Sequence, residues 1–208
     1  MNGLDTILFE LVNQSWTTPF LDHFMPVIST LDLWIPLFLV AVAGVLIFGG
    51  KQGRLFLLSL LVGLALGEGV LSHGLKHLLG RPRPRDVLEG TIVRSIAPGH
   101  PKWLHAFEPP LVVVSHPVED HTFHGNSMPS SHVVNVFMLA TVAFCFSRRT
   151  GYVLAVGGLL VAWSRVYCGA HWPSDLPPSI LLGIFSGYVS FRLVTWADLR
   201  LRKPARES

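Results

Sequence analysis

Long apolar segments recur along this chain, and they constrain its fold more than any other feature. Five of them approach the ~20 residues that a helix needs to cross ~30 Å of hydrocarbon. They cover roughly residues 33–49, 54–79, 130–147, 151–169 and 176–197. Only 14% of the 208 residues are charged, whereas a typical soluble domain carries about 25%. The sequence therefore predicts an all-α integral membrane protein, a bundle of about five transmembrane helices forming a single domain over residues 1–208.

Residues 1–32 contain two shorter apolar pieces. In the first piece the apolar side chains recur at helical spacing, at Leu4, Ile7, Leu8, Leu11 and Val12. This piece is too short and too polar to span a bilayer, and Pro19 ends it. The second piece, residues 20–30, carries Asp22 and His23. We expect two amphipathic helices that lie at the membrane interface.

Basic residues in the short loops predict how the bundle is oriented. An alternating path of five spans brings two short loops and the tail 198–208 to one side; their basic residues are Lys51, Arg54, Arg148, Arg149, Arg200, Arg202, Lys203 and Arg206. By the positive-inside rule this side is cytoplasmic. The opposite side receives the N-terminal helices and the long loop 80–129. The formal net charge of +3 is too small to indicate nucleic acid as a partner, and nothing indicates an obligate protein partner.

Basic residues lie at the non-cytoplasmic end of the second span. Lys76 precedes Arg83-Pro84 by seven positions. An arginine can clamp two phosphate oxygens while a lysine acts as a point charge, so the pair suits a phosphate group. Alone, the same residues would equally suit the positive flank of a membrane helix.

Pro129-Ser130-Ser131-His132 opens the third span on the same side. Pro129 suits the first helical turn, and Ser127 could cap it. The amides and hydroxyls of Ser130 and Ser131 would then lie at the positive end of the helix dipole, where anions bind. Alone, this segment also fits an ordinary helix start.

The third segment, Ser164-Arg165 followed by His171 and Asp175, joins the last two spans. Gly169 permits a turn there. Asp175 follows His171 by four residues and could accept the imidazole Nδ1–H, which would leave Nε2 free as a base or nucleophile. A single His–Asp pair at this spacing is common by chance. Three such segments on one predicted membrane face instead indicate a single phosphate-handling site.

Together the segments resemble the signature of the type 2 phosphatidic acid phosphatase family: Lys-x6-Arg-Pro, Pro-Ser-Gly-His and Ser-Arg-x5-His-x3-Asp. The resemblance implies that His171 is the nucleophile and forms a phosphohistidine, that Asp175 orients it, and that His132 protonates the leaving oxygen and then activates water. It also implies catalysis without a metal or other cofactor. The phosphate ligands that it implies are Lys76, Arg83, Ser130, Ser131 and Arg165.

Two departures from the signature bear on the geometry. Ser131 stands where the family has glycine, which keeps the backbone donor and adds a hydroxyl. Pro177-Pro178 directly follows Asp175, which predicts that the last span starts later or is kinked.

The resemblance implies an integral lipid phosphatase of the bacterial inner membrane, with its active site facing the periplasm or exterior. Polyprenyl pyrophosphate, such as undecaprenyl pyrophosphate, is the first choice of substrate. Phosphatidylglycerophosphate, phosphatidic acid and lipid A stay open. So do transfer of the phosphate to another lipid and a non-catalytic role in binding or transporting lipids.

Further polar residues have uncertain roles at this stage. Arg81 could be a secondary phosphate contact. Glu68, within the second span, could pair with His73 or line the substrate site. The long loop could hold a metal for a metal-dependent hydrolase, although solvated side chains are the simpler interpretation. The residues concerned are His116, Glu119, Asp120, His121 and His124.

Overall fold

The structure, a computed structural model, describes residues 3–99, 101–117 and 126–201. Most of these residues are helical. The helices are α1 (Gly3–Glu10), α2 (Pro19–Ser29), α3 (Leu31–Phe48), α4 (Gly50–Leu64), α5 (His73–Leu79), α6 (Pro84–Val87), α7 (Ser131–Phe146), α8 (Arg148–Tyr167) and α9 (Leu176–Leu201). Two π-helical segments follow α1 and α4, at Leu11–Ser15 and Ala65–Ser72. Two short 3-10 segments lie at Lys102–Phe107 and Pro173–Asp175.

Each segment that we expected to span carries a helix. Three helical stretches are long and apolar enough to cross a bilayer, namely Leu31–Phe48, Gly50–Val87 and Pro173–Leu201, and α7 is apolar but shorter. The outer surface is apolar as well: no residue of α3 is buried, and Phe48 is 86% exposed. Such an exterior requires lipid around it. The chain is a multi-pass membrane protein with a helical bundle, as predicted, and the number of spans stays a prediction.

Close packing between α7 and α9 forms the centre of the bundle. A Cβ added at Gly183 would lie 2.6 Å from the carbonyl oxygen of Val134, and one at Gly187 would lie 2.7 Å from that of Met138. Small residues spaced four apart let two helix backbones approach closely, which is a common basis of helix association in membranes. This packing holds α7, which carries His132, in a fixed position relative to α9, which follows Asp175.

The N-terminal segment turns a face of mixed polarity inward. Asp5, Phe9 and Asn13 are buried, whereas Leu4 and Ile7 are 68% and 62% exposed. The predicted helix over residues 4–14 is present, with its last turn π-helical. An outward apolar stripe is what contact with lipid requires. Its position at the interface stays a prediction.

The region predicted as one long loop contains a β-hairpin, so the all-α prediction was incomplete. Strands β1 (Thr91–Ser95) and β2 (Leu111–Ser115) pair antiparallel, with Val93 opposite Val113. Both strands are rich in β-branched residues, but a long connection with prolines separates them. No short turn signal therefore marked them as a hairpin.

Buried polar side chains fasten β1 to the end of α8. The Asn13 amide donates to the carbonyl oxygens of Ile92 and Tyr167 at 2.8 and 2.9 Å. The Arg94 guanidinium donates to the Tyr167 carbonyl at 3.0 Å and to Asp22 at 2.5 Å. Because the turn that carries His171 begins at this end of α8, these bonds fix its starting point.

Two further expectations concern the last helix. The expectation that Pro177-Pro178 delays its start was wrong, because α9 begins at Leu176; a kink stays a prediction. The two prolines lie in its first turn, where no intrahelical bond needs their missing N–H. At the other end, Asp198 pairs with Lys51 at 2.7 Å, so the end of α9 and the start of α4 lie on the same side of the bundle. The basic tail beyond residue 201 lies outside the described residues.

Candidate active site

Hydrogen bonds join the three polar segments pairwise at one end of the bundle. Lys76 Nζ donates to Ser131 Oγ at 2.6 Å, which connects the first segment to the second. Ser127 Oγ donates to Asp175 Oδ2 at 2.5 Å, which connects the second to the third. Trp172 Nε1 donates to the carbonyl oxygen of Pro82 at 2.9 Å, which connects the third to the first. The segments therefore form one site.

The two candidate catalytic histidines belong to that site. His132 lies within electrostatic reach of His171, Arg165, Lys76 and Arg83. It stands in the first turn of α7, whereas His171 stands in the turn between α8 and α9. One imidazole from each element therefore faces a common group of cations.

A tight turn after α8 presents His171. Gly169 adopts a φ of +75°, and a Cβ there would lie 3.0 Å from the carbonyl oxygen of Ile92. Glycine fits this position because it has no Cβ and tolerates positive φ. The carbonyl oxygen of Arg165 then accepts from the amides of Ala170 and His171 at 3.0 and 3.2 Å. The turn thus places the imidazole beside the guanidinium of Arg165.

His171 is suited to act as a neutral nucleophile. Its side chain is 2% exposed, and this burial lowers its pKa to about 4, against the opposing effect of the Asp175 carboxylate. Nδ1 lies 3.6 Å from Asp175 Oδ2, which is longer than a hydrogen bond. Catalytic contacts are commonly long before substrate binds. Asp175 lies on the Nδ1 side of the ring, and the role of Nε2 as the reactive nitrogen stays a prediction.

Asp175 is held from several sides and is fully buried. Its Oδ2 accepts from the Trp172 amide at 3.0 Å as well as from Ser127. Its Oδ1 accepts from Arg81 Nη1 at 2.5 Å. With this many donors the carboxylate stays charged and cannot rotate freely, so Oδ2 is held on the side of His171.

Three cations converge on the space in front of His171. Arg165 acts electrostatically on His171, and so does Arg83; Lys76 and Arg83 also lie close enough to influence each other. Arg165 Nη1 donates to Ser29 Oγ, but its Nε is buried without a hydrogen-bond partner among the described residues. Cations brought this close repel one another unless an anion lies between them.

The start of α7 differs in detail from what we expected. The helix begins at Ser131, so Ser130 is the N-cap, and Pro129 precedes the helix after a cis peptide bond. Ser127 does not cap α7, because its hydroxyl is bound to Asp175. The Ser130 amide donates to Ser179 Oγ at 2.9 Å, and its buried hydroxyl has no partner among the described residues. Lys76 binds Ser131 Oγ, so the start of α7 lies beside the cations, and the N-terminus of a helix is a suitable place for an anion.

The secondary site residues have protein partners. Both Arg81 terminal nitrogens bind carboxylates, so Arg81 does not present a free guanidinium to a phosphate. Glu68 accepts from Asn135 Nδ2 at 2.5 Å rather than pairing with His73, which contacts His77. The alternative expectation of a Glu68–His73 pair was therefore wrong, because each side chain has a different partner.

Of the loop residues that could hold a metal, the structure describes His116. His116 Nδ1 lies 2.7 Å from Glu89 Oε1. His121, His124, Glu119 and Asp120 lie outside the described residues. Within the described ranges, no group of three or more metal-ligating side chains occurs. A reaction without a metal stays a prediction.

Sequence reasoning missed several residues that shape the site. Asp5, Ser174 and Asn135 had no assigned role, and Ser127 had the wrong one. One signal was available for Asp5: an ionisable residue among apolar ones in a membrane-associated helix commonly has a partner inside the protein. Which partner it has depends on contacts far away in the sequence.

Comparison with known proteins gives consistent matches. The sequence model of the PAP2 superfamily matches residues 56–198. A lipid A 4'-phosphatase from Bacteroides thetaiotaomicron is 22% identical over 206 residues, covering 97% of this chain and 82% of that protein. An undecaprenyl-diphosphatase from Sulfolobus acidocaldarius is 26% identical over 203 residues, covering 95% and 82%. The crystal structure of Aquifex aeolicus LpxE matches with a TM-score of 0.63 at 24% identity, covering 92% of this chain and 96% of that one.

Proposed function

The chain belongs to the PAP2 superfamily, and from that premise we propose that it is an integral membrane lipid phosphatase. It removes the terminal phosphate of a lipid phosphate or pyrophosphate through a phosphohistidine on His171. The reaction needs no metal or other cofactor, since the chain supplies the nucleophile, the acid and the positive charge.

One observation carries this proposal. His171 is buried beside Arg83 and Arg165, His132 lies within electrostatic reach of these two and of Lys76, and two buried atoms of the predicted phosphate ligands lack a hydrogen-bond partner among the described residues. These atoms are Arg165 Nε and Ser130 Oγ. Buried polar groups are rarely left unpaired, and a phosphate has acceptor oxygens for both. The site therefore fits a tetrahedral dianion.

The geometry supports a double displacement. His171 Nε2 attacks the terminal phosphorus while its bond to the leaving oxygen breaks, which is the lipid oxygen of a monophosphate or the bridging oxygen of a pyrophosphate, and His132 gives that oxygen its proton. Water, deprotonated by His132, then attacks the phosphohistidine; the P–N bond breaks and inorganic phosphate leaves. Lys76, Arg83 and Arg165 stabilise the charge on the phosphoryl oxygens, which is the main contribution of the protein to this class of reaction.

An apolar crevice next to the site supports a lipid rather than a soluble phosphate. Its volume is about 510 Å³, and it lies between α5, the segment before α7, and α9. The residues that line it are Leu75, Leu79, Met128, Pro129, Pro178, Leu181, Leu182 and Phe185. Pro129 directly precedes the serines of the phosphate site, so a lipid tail in the crevice would leave its head group at His171.

Replacing Leu182 with tryptophan is expected to fill this crevice. We expect KM for a long-chain lipid phosphate to rise about tenfold, because tail burial contributes ~0.8 kcal/mol per CH₂. The rate with a short-chain soluble phosphate should stay unchanged. Leu193→Trp, an exposed position on the same helix, is the matched control. Equal effects of the two variants on the long-chain substrate would exclude the crevice as the tail site.

Glu68 extends the site toward the substrate head group. It is exposed, and it binds Asn135, which lies one helical turn beyond Ser131. A carboxylate and an amide at this position are suited to hydroxyl groups on the head group, so Glu68 selects among lipids rather than taking part in the reaction.

Undecaprenyl pyrophosphate is the first choice of substrate. The match to the undecaprenyl-diphosphatase spans nearly the whole chain, and a polyprenyl tail suits the apolar crevice. The match to the lipid A 4'-phosphatase is equally extensive, which keeps lipid A as an alternative beside phosphatidylglycerophosphate and phosphatidic acid. The positive-inside rule orients the site toward the exterior or periplasm of a bacterial inner membrane.

Phosphate release by the purified protein from these four lipids, with and without a chelator, tests the proposal. We expect the largest kcat/KM with undecaprenyl pyrophosphate and no effect of the chelator. A phosphorylated second lipid in a mixed pool would instead identify a phosphotransferase. Absence of phosphate release from all four lipids would refute the lipid phosphatase assignment.

A further inference from the structure

Arg81 lies between two carboxylates, and only one of them belongs to the family signature. Its Nη1 donates to Asp175 Oδ1 and its Nη2 donates to Asp5 Oδ2, each at 2.5 Å. Asp5 comes from α1, at the start of the chain, and is 6% exposed. The three side chains form a continuous chain of charges from α1 to Asp175.

Asp5 also holds the residue that precedes Asp175. Its Oδ1 accepts from the Ser174 amide at 3.0 Å, and its Oδ2 accepts from the Ser174 hydroxyl at 2.7 Å. Arg81 Nη1 donates to the same hydroxyl at 2.8 Å. Asp5 therefore contacts the backbone of the 3-10 segment as well as the guanidinium that binds Asp175.

The backbone of Arg81 reaches the opposite oxygen of Asp175. Its carbonyl oxygen accepts from the Ser127 amide at 2.9 Å, and the Ser127 hydroxyl donates to Asp175 Oδ2. Arg81 thus acts on Oδ1 through its side chain and on Oδ2 through Ser127. A displacement of Arg81 would disturb both sides of the carboxylate that faces His171.

Aromatic packing places α1 over the same turn. The rings of Phe9 and Trp172 lie 5.4 Å apart, and the Arg81 guanidinium lies 5.6 Å from the centre of the Trp172 ring. Trp172 separates His171 from the 3-10 segment and is fully buried. α1 therefore covers the turn with an apolar contact and an ion pair side by side.

We propose that Asp5 is a positioning residue for the reaction: it holds Arg81 and Ser174 so that Asp175 presents Oδ2 to His171. This inference rests on the proposed function, because the orientation of His171 matters only if that imidazole reacts. The physical reason is geometric. A guanidinium with one carboxylate can swing away from it, whereas one held between two carboxylates is fixed in place.

Asp5→Asn is the test variant, because it keeps the shape of the side chain and removes its charge. We expect kcat to fall about 10- to 100-fold, the range that a small misplacement of a catalytic group causes. KM should stay unchanged, since Asp5 does not contact the phosphate ligands. Both constants would be measured with the preferred lipid at saturating and limiting concentrations.

Asp22→Asn is the matched control. Asp22 is also a carboxylate of the N-terminal helices that pairs with a buried arginine, Arg94. It also accepts from the Tyr167 hydroxyl at 2.6 Å, and no hydrogen bond among the described residues connects it to Asp175. Its loss should lower the melting temperature at least as much as the loss of Asp5. Because Asp22 holds the end of α8 through Arg94 and not through Asp175, any fall in kcat should be smaller than in Asp5→Asn and should persist undiminished in the Asp175→Asn background.

A double-mutant cycle separates positioning from a general loss of structure. If Asp5 acts through Asp175, Asp5→Asn should lower kcat less than about twofold in the Asp175→Asn background. A purely structural effect would persist undiminished in that background. Equal losses of kcat in the two backgrounds would overturn the proposal, as would an unchanged kcat in the Asp5→Asn single variant.

The wild-type protein, the two single variants and the double variant also allow a second measurement that needs no substrate. The effects of Asp5→Asn and Asp175→Asn on the unfolding equilibrium constant should be coupled by at least about fivefold, because both residues bind Arg81. Independent effects would overturn the Asp5–Arg81–Asp175 linkage. An inactive wild-type protein with coupled unfolding would instead refute the proposed function while leaving the linkage intact.

Discussion

Replacement of His171 by alanine is expected to abolish lipid phosphate release, lowering kcat at least ~10³-fold, as removal of a nucleophile does in other enzymes. That loss corresponds to a barrier higher by about 4 kcal/mol. The cations would still bind the phosphate, so KM should change little. In a rapid quench without acid, a lipid labelled at its terminal phosphate should label the wild-type protein. The His171→Ala variant should remain unlabelled.

The control for this prediction is His105→Ala. His105 lies in the 3-10 segment of the hairpin connection and pairs with Glu108 at 3.0 Å, away from the site. It should keep full activity and the labelled intermediate. Phosphate release by His171→Ala within tenfold of the wild-type rate would contradict the phosphohistidine mechanism.

Replacement of His132 by alanine is the second large effect that we expect. General acid–base catalysis by a positioned side chain contributes about 10²- to 10⁴-fold, so kcat with a lipid substrate should fall within that range. The effect should depend on the leaving group. With an aryl phosphate, which leaves without a proton, the phosphohistidine should form at close to the wild-type rate and then accumulate, because water is no longer activated.

A matched change on the same helix tests whether the effect is specific. Thr141→Ala removes a hydroxyl whose one hydrogen bond among the described residues lies within α7, to the Phe137 carbonyl at 2.8 Å. It should leave both steps unchanged. If His132→Ala slowed phosphohistidine formation equally with lipid and aryl phosphates, proton transfer to the leaving oxygen would not be its role.

Two kinds of information were already present in the sequence. The lengths of the apolar segments depend only on the thickness of the bilayer, so the helices could be located from composition and spacing. The spacing from His171 to Asp175 and the glycine at position 169 are local as well, and they predicted the turn between α8 and α9. Local periodicity also predicted the N-terminal helices.

The remaining features depend on contacts between distant parts of the chain. Asp5 and Ser174 are 169 positions apart, and Arg81 and Asp175 are 94 apart. The local pattern did not indicate that Arg81 binds carboxylates rather than phosphate. It also did not indicate that the Ser127 hydroxyl binds Asp175 rather than capping α7. The positions of the helices and the kinds of residue in the candidate site could therefore be predicted from the sequence alone. Which polar group meets which was decided only by tertiary packing, because a buried charge takes whichever partner the fold places within hydrogen-bonding distance.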